Sequence, residues 1–478
     1  MVRVFFFVSF LWFTVPWLWT LCTLDAADCY HLTPDAVSAD LRSMRSRLAA
    51  GDDQAMHRLF PEGRLFSHSF YGFTLVNVAV SNPQDRAFRQ HTLAELTRLI
   101  TITEYLSAQP PFDQCETMIP KGGVIAAGHV NLLRAGYAIL GGSDQAILAA
   151  YHTQSELLYQ SFGKSAVATL ESYPGLTWPV DNVVALESLR LHDVLYKTSY
   201  TAAVDRWVQW MTAHADHSTG LFNMQIDQQG GIHDGPRGCG LSWTFAFLPA
   251  FAPDVARQQY ALYRDNWFLH PLGTTGIREF PPDRQEQFVD ADTGPIVFGM
   301  GTAATGFGIA AAKANNDPAN LTGLLRGLNI CSFPAYSTDL SHSRFFGQVL
   351  LADELALWGQ TITRWDAPAL LPAAPARAQP LWHFWVVLLL LIAFTALFMW
   401  LLLRTALGAW RSCRESPKRW TLIHQFFLIL AILTLALFVL VPEVRWLYAF
   451  LVLAFLEVME ARFFPLRRPD PAPSPPIS

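Results

Sequence analysis

The sequence predicts an all-α fold, an (α/α)6 toroid or barrel followed by C-terminal transmembrane helices, and three observations carry that prediction. Apolar residues recur at helical spacing from Asp28 to Ala378, with almost no two-residue alternation. Short polar turns recur at Pro83, Asp144, Tyr200, Asp254 and Asp317, which lie 61, 56, 54 and 63 residues apart. Each step holds two helices and two connections, the pattern of a ring of helical hairpins. Three apolar stretches near the C-terminus are each long enough to cross a hydrocarbon core of roughly 30 Å.

The elements follow in chain order. Val4 to Leu24 is almost wholly apolar, follows Arg3 and leads into Ala26 and Ala27. Residues 1–27 therefore read as a signal peptide or an N-terminal membrane anchor, a choice that Pro16 leaves open. Residues 28–366 form the extracytoplasmic toroid. Helical spacing places helices over Ala36–Ala50, Phe66–Val80, Arg86–Tyr105, Gly128–Leu140, Gln145–Phe162 and Asp181–Tyr196. A second set covers Ala202–Ala215, Leu241–Phe251, Val255–Phe268, Pro295–Ala314, Leu321–Ile330 and Phe346–Thr363. In a toroid the short turns lie at one end, and the longer links at the other end line the mouth of the cavity. Here those links are rich in Gly, Pro, aromatic and titratable residues. Residues 367–380, "APALLPAAPARAQP" with its neighbours, form a Pro/Ala-rich extended linker.

Residues 381–463 hold the three transmembrane helices, Leu381–Leu403, Thr421–Val441 and Val444–Ala461. The loop 404–420 carries Arg404, Arg411, Arg414, Lys418 and Arg419 against one acid, Glu415, which assigns it to the cytoplasm. The large domain then lies outside, and 464–478 is a disordered cytoplasmic tail by composition. The expected localisation is a multi-pass membrane protein with the lipid bilayer as a partner.

A net charge of −5 without basic blocks in the outer region excludes nucleic-acid binding. Six cysteines form no C-x-x-C pair, and Cys29 and Cys115 fit a disulfide in an oxidising compartment as well as two buried thiols. There is no G-x-S-x-G elbow, no H-E-x-x-H metal site and no phosphate loop. The expectation is cofactor-free proton transfer by carboxylates and imidazole on a small-molecule substrate, with homo-oligomer formation left open.

Four segments supply candidates. His129 follows Gly122, Gly123 and Gly128 at the expected start of a helix, where the dipole favours a neutral imidazole suited to general-base work. In "YPGLTWPVDN", Asp181 stands where a helix N-cap would stand, beside the apolar wall of Tyr173 and Trp178, so it reads equally as a cap or as a catalytic acid or base. "IHDGPRGCGLSW" offers His233 and Asp234, with Arg237 for an anion and Trp243 for stacking. In "FVDADTGP", Asp292 opens the next helix as cap or acid.

Several of these segments, "SFYGFTLVNVAVSNP", "GHVNLLRAGYAILGGS", "YPGLTWPVDN" and "DADTGP", resemble the linalool dehydratase/isomerase family over much of Ser69 to Leu357. That resemblance implies a periplasmic (α/α)6 barrel, an active-site role for His129 and a cavity-facing Tyr71. It also implies an active-site cysteine pair near Ser172 and Asp181, neither of which is cysteine here. The expected function is elimination, hydration or isomerisation on a small hydroxylated or isoprenoid-like molecule. His129, Asp181 and Asp292 would trade protons, while Tyr71, Ser172, Tyr173, Trp178, His233, Arg237 and Trp243 would bind the substrate. A carbohydrate-active toroid and a non-catalytic scaffold stand as alternatives; the missing cysteine pair favours the latter.

Overall fold

The computed structural model describes residues 34–271, 274–284, 288–332, 335–336 and 342–368, all within a unit spanning Leu11–Leu389. The N-terminal apolar segment, the Pro/Ala-rich linker beyond residue 368, the three expected spans and the tail lie outside the described residues. Among the described residues no helix is long and apolar enough to cross a membrane.

The described chain is mostly helical, as its periodicity predicts. The helices are α1 (Pro34–Ala50), α2 (Asp53–Leu59), α3 (Gly63–Ser81), α4 (Arg86–Leu106), α5 (Gly123–Ile139), α6 (Gln145–Lys164) and α7 (Asn182–Tyr196). They continue as α8 (Thr201–Ala213), α9 (Gly238–Phe251), α10 (Pro253–Trp267), α11 (Thr302–Ala314), α12 (Pro318–Ser332) and α13 (Leu350–Thr361). Asp85 and Asp144 cap α4 and α6 with their carboxylates, accepting from Phe88 N and from Ala146 N and Ile147 N. The short α2 escapes the periodicity because seven residues are too few to display it.

Four two-stranded hairpins, β1–β2 (Gln225–Ile226 with Ile232–Asp234), β3–β4 (Phe268–Leu269 with Gly276–Ile277), β5–β6 (Ile296–Val297 with Met300–Gly301) and β7–β8 (Ala335–Tyr336 with His342–Ser343), decorate the links. The third corrects the expected helix Pro295–Ala314, which begins only at Thr302. Phe298 and Gly299 both adopt positive φ, 51° and 79°, closing a tight turn that a helix cannot contain.

Packing follows a regular alternation. Helix α3 packs on α5, α5 on α7, α7 on α9, α9 on α11, α11 on α13, and α13 on α3, so the succession returns to its start. Of these, α3, α5, α7, α9 and α13 are buried along most of their length, as helices covered on both faces must be, and α11 is buried chiefly over residues 308–312. The intervening helices pack outside them: α4 on α3 and α5, α6 on α5 and α7, α8 on α7, α10 on α9 and α12 on α11. Trp207, Trp267, Tyr151 and Tyr263 are fully buried between the layers, each contributing about 1.5–3 kcal/mol or more of apolar burial. After α13 the chain is tied back by Trp365, whose indole N–H donates to Asn77 Oδ1 at 2.7 Å. Asp366 accepts from Arg190 on α7 at 3.0 Å.

Candidate active site

Two glycines build one wall. Gly122 and Gly123 adopt φ of 84° and 69°, and a Cβ on Gly123 would sit 2.0 Å from the Ser172 carbonyl oxygen. Only glycine allows this left-handed turn with the backbone so close. Val124 N then donates to Glu171 O at 3.0 Å, fixing Ser172 and Tyr173 against the start of α5.

Helix α5 starts at Gly123, so His129 lies within the helix and does not open it. Its ring is fully buried. The neutral form is indeed favoured, with the pKa pushed down to about 3, but burial is the cause and the helix end is not. Phe66 and Trp243 lie nearly parallel to it, with centroids at 5.1 and 5.7 Å, and Phe70 and Phe73 meet it at 6.1 and 5.6 Å. His129 Nδ1 is 2.7 Å from Ser69 Oγ. That hydroxyl directs its single hydrogen to Leu65 O at 2.8 Å. Nδ1 must then carry the imidazole proton and donate it to Ser69, which leaves a bare lone pair on Nε2. Among the described residues Nε2 has no hydrogen-bond partner.

Asp181 ends a 3₁₀ turn, Pro179–Asp181, at the N-cap position of α7, but its side chain caps nothing. It accepts from Ser172 Oγ at 2.6 Å. Asn182 does the local work instead, accepting from Leu170 N and donating to Leu170 O and Trp178 O. Burial pushes the Asp181 carboxyl up to about 8, against the lowering effect of the Ser172 hydroxyl, and the charges of Asp292 and Glu62 push the same way. Glu62, at the N-terminus of α3, accepts from the Tyr173 phenol. Trp178 meets Tyr173 edge to face at 6.3 Å.

Asp292 is pushed up to about 6, chiefly by burial, then by Asp290, with Arg237 opposing and Glu62 and Asp234 adding. Asp292 is nevertheless exposed, and Asp181 is only half-buried. Carboxyls that solvent reaches, yet that protein surrounds closely enough for burial to dominate, lie in a recess. Phe66 packs in one cluster with Tyr173 and Trp178, and the rings about His129 extend from it: Trp243 meets Phe307 at 4.8 Å, and Phe70 meets Trp358 at 4.8 Å. Phe66 and Phe307 remain partly exposed.

Other expected residues have different surroundings. Tyr71 is buried with Glu95, Arg45, Arg98 and Glu354 as its charged neighbours; Phe66, Ser69, Phe70 and Phe73 of the same helix meet His129 in its stead. The helical turn explains this, since neighbours in sequence point about 100° apart. His233 is 56% exposed and bonds Asp227 at 3.0 Å on the surface of the β1–β2 hairpin. Arg237 is buried and already engaged by Glu279, Asp290 and Asp234, so no free fork is left for an anion. Cys115 is a buried free thiol donating to Ser172 O at 3.8 Å; its expected partner Cys29 lies outside the described residues.

Sequence reasoning missed Phe66, Ser69, Glu62, Cys239 and Glu279. Ser69 and Cys239 stand inside segments it singled out, whereas Glu279 and Glu62 show no motif and become visible only through the fold. Among the described residues, no group of three or more His, Cys, Asp or Glu side chains is arranged to hold a metal ion. Part of the similarity read from the motifs has an independent counterpart: residues 141–330, which include Ser172, Asp181, Trp243 and Asp292 but not His129, match the model of the linalool dehydratase/isomerase family, and over that stretch the chain is similar to this family.

Proposed function

We propose that this chain is a membrane-anchored, linalool dehydratase/isomerase-like enzyme whose outward-facing (α/α)6 toroid removes, adds or relocates a hydroxyl group by cofactor-free acid–base chemistry. The substrate class is a small isoprenoid-like alcohol. One observation carries the reading: Ser172 donates to the Asp181 carboxyl at 2.6 Å where a second carboxyl, Asp292, is among the charges it feels, and the two are pushed to different heights, about 8 and about 6. At neutral pH the first holds its proton and the second has largely lost it, the split that assigns acid and base.

The mechanism follows. Asp181 protonates the leaving hydroxyl and Ser172 orients the acid. The C–O bond breaks, its electron pair leaves with water, and Asp292 accepts a proton from the neighbouring carbon as the double bond forms. For isomerisation, water returns at the other end of the allylic system and gives its proton back to Asp181. The bare Nε2 of His129 accepts a hydrogen bond from the hydroxyl or the departing water. The aromatic rings of Phe66, Trp243 and Phe307 face the positive charge that develops on the carbon skeleton. They favour an apolar body over a sugar, which would demand several polar partners around the acids. Membrane anchoring rests on the three apolar C-terminal stretches and their basic loop.

The test is incubation of the purified full-length protein with linalool, with analysis for a hydrocarbon lighter by one water and for an isomeric alcohol. Wild type should form at least one of them and Asp181→Asn neither. Equal conversion by Asp181→Asn would remove the proposed acid.

A further inference from the structure

We propose that Cys239, Glu279 and Arg237 form a nucleophile, base and orienting group, a second reactive centre on the same recess that takes an electrophilic carbon. Gly238 makes it possible. A Cβ there would lie 1.9 Å from Arg278 O, and its N–H donates to Glu279 O at 2.7 Å, so the first turn of α9 is pressed against the strand-like link 276–280. The next residue, Cys239, thereby comes within 3.0 Å of Glu279 Oε1 through its sulfur. Arg237 Nε holds the same oxygen at 3.0 Å, and Asp290 holds Arg237 at 3.0 Å.

The carboxylate is thus held at Oε1 by Arg237, with the thiol of Cys239 in reach of the same oxygen, the geometry in which a carboxylate takes a proton from a nucleophile. Glu279 is fully buried, and its Oε2 has no hydrogen-bond partner among the described residues. Gly301 leaves the space beside that atom, since a Cβ there would come within 2.5 Å of it. An unpaired buried carboxylate oxygen is costly unless a proton arrives in use. Cys239 is itself buried, and burial, Glu279 and Asp292 hold its thiol well above the ordinary value with Arg237 opposing, so the sulfur stays protonated at rest and reacts only as Glu279 takes the proton. It stands one helical turn from Trp243, which meets His129.

The reaction balances without a further reagent. When water leaves the protonated alcohol, an allylic cation remains. A sulfur lone pair of Cys239 forms a C–S bond to it, and the thiol proton passes to Glu279. On reversal Glu279 returns the proton to sulfur, the C–S electron pair returns to sulfur, and the cation reforms for loss of a proton or capture of water. The centre stabilises the cation between the two allylic ends. This inference rests on the recess being the substrate site but not on which alcohol enters it.

Iodoacetamide is the probe, an electrophilic carbon small enough to enter a narrow recess, with labelled cysteines located by peptide mass in the full-length protein. Cys239 should be alkylated at least tenfold faster than the buried Cys115, and Glu279→Gln should slow Cys239 alone by a similar factor. Saturating linalool should protect Cys239 in wild type, a readout that needs no variant. Cys239→Ser should lower linalool conversion at least 100-fold. Turnover of linalool with Cys239 no more reactive than Cys115, or not protected, overturns this centre and leaves the proposed function intact. A reactive, Glu279-dependent Cys239 without linalool turnover or protection upholds the nucleophile and overturns the alcohol reading.

Discussion

Replacing Asp181 by asparagine should stabilise the protein at alkaline pH while abolishing its chemistry. The sign follows from proton binding. An ordinary aspartate titrates at 3.8, and in the folded chain burial, Asp292 and Glu62 push Asp181 up to about 8. Between those values the folded state binds the proton more tightly than the unfolded state does, so the stability held below pH 4 is lost as pH rises through 8. At about 1.4 kcal/mol per pH unit the ceiling is roughly 6 kcal/mol. Solvent reaches this half-buried carboxyl, and screening brings the expected loss to about 2–3 kcal/mol. Asparagine accepts the Ser172 hydroxyl as aspartate does, yet it cannot ionise. Urea unfolding at intervals from pH 4 to pH 9 measures the comparison. The stability of Asp181→Asn relative to wild type should climb by about 2–3 kcal/mol across that range, with most of the change complete by pH 8. A difference that stays flat, or one that climbs only below pH 5, would mean that Asp181 titrates as an ordinary carboxylate, and the acid assigned to the reaction would be lost with it.

Four other outcomes are expected. The kcat/KM for linalool should rise through about pH 6 as Asp292 ionises and fall through about pH 8 as Asp181 does; Asp292→Asn should erase the lower limb, and a lower limb that survives in Asp292→Asn would contradict Asp292 as the base. Ser69→Ala leaves the Nδ1 proton of His129 unpaired in the core, costing about 1–3 kcal/mol in urea unfolding and at least tenfold in kcat. Gly123→Ala puts a Cβ 2.0 Å from Ser172 O at φ 69°, so unfolding should show a loss of about 2 kcal/mol or more, with activity reduced in the protein that remains folded. His233→Ala, which removes an exposed side-chain contact with Asp227 alone, should alter kcat/KM by less than about twofold.

The fold was legible where its signal is periodic. Every expected helix within the described residues has a counterpart, because each buries a broad apolar stripe against neighbours and the stripe is written at helical spacing. The failures have local causes. Phe298 and Gly299 turn the chain by positive φ, a property that apolar spacing does not encode. The site was legible only in its loops. His129 and Asp181 could be picked out because glycines or prolines flank them, but the bonds they form could not. Asp181 was as plausible a cap as an acid until Asn182 was seen to take the local hydrogen bonds and Ser172 the carboxylate. Ser69 illustrates the general limit: its partner is 60 residues away, and nothing in either segment marks the pair.

The resemblance implies a thiol pair where this chain has Ser172 and Asp181, and the structure gives that exchange a physical meaning. Ser172 still faces Asp181 at 2.6 Å, so the two positions remain a hydrogen-bonded couple after both side chains have changed. A serine hydroxyl is too weak an acid to replace a thiol. A buried aspartic acid is not, because desolvation and two neighbouring carboxyls raise it to about 8, near the range in which an unperturbed thiol titrates. The recess therefore retains a proton donor of similar strength built from different atoms. What a carboxyl does not supply is a soft nucleophile; of the two buried thiols among the described residues, Cys115 donates to the Ser172 carbonyl, whereas Cys239 has a carboxylate, Glu279, within reach of its proton. In the proposed reaction, proton donation falls to Asp181 and nucleophilic capture to Cys239. That division predicts separable defects: Asp181→Asn should block the loss of water, whereas Cys239→Ser should leave the stability difference between pH 4 and pH 9 as it is in wild type and suppress conversion alone.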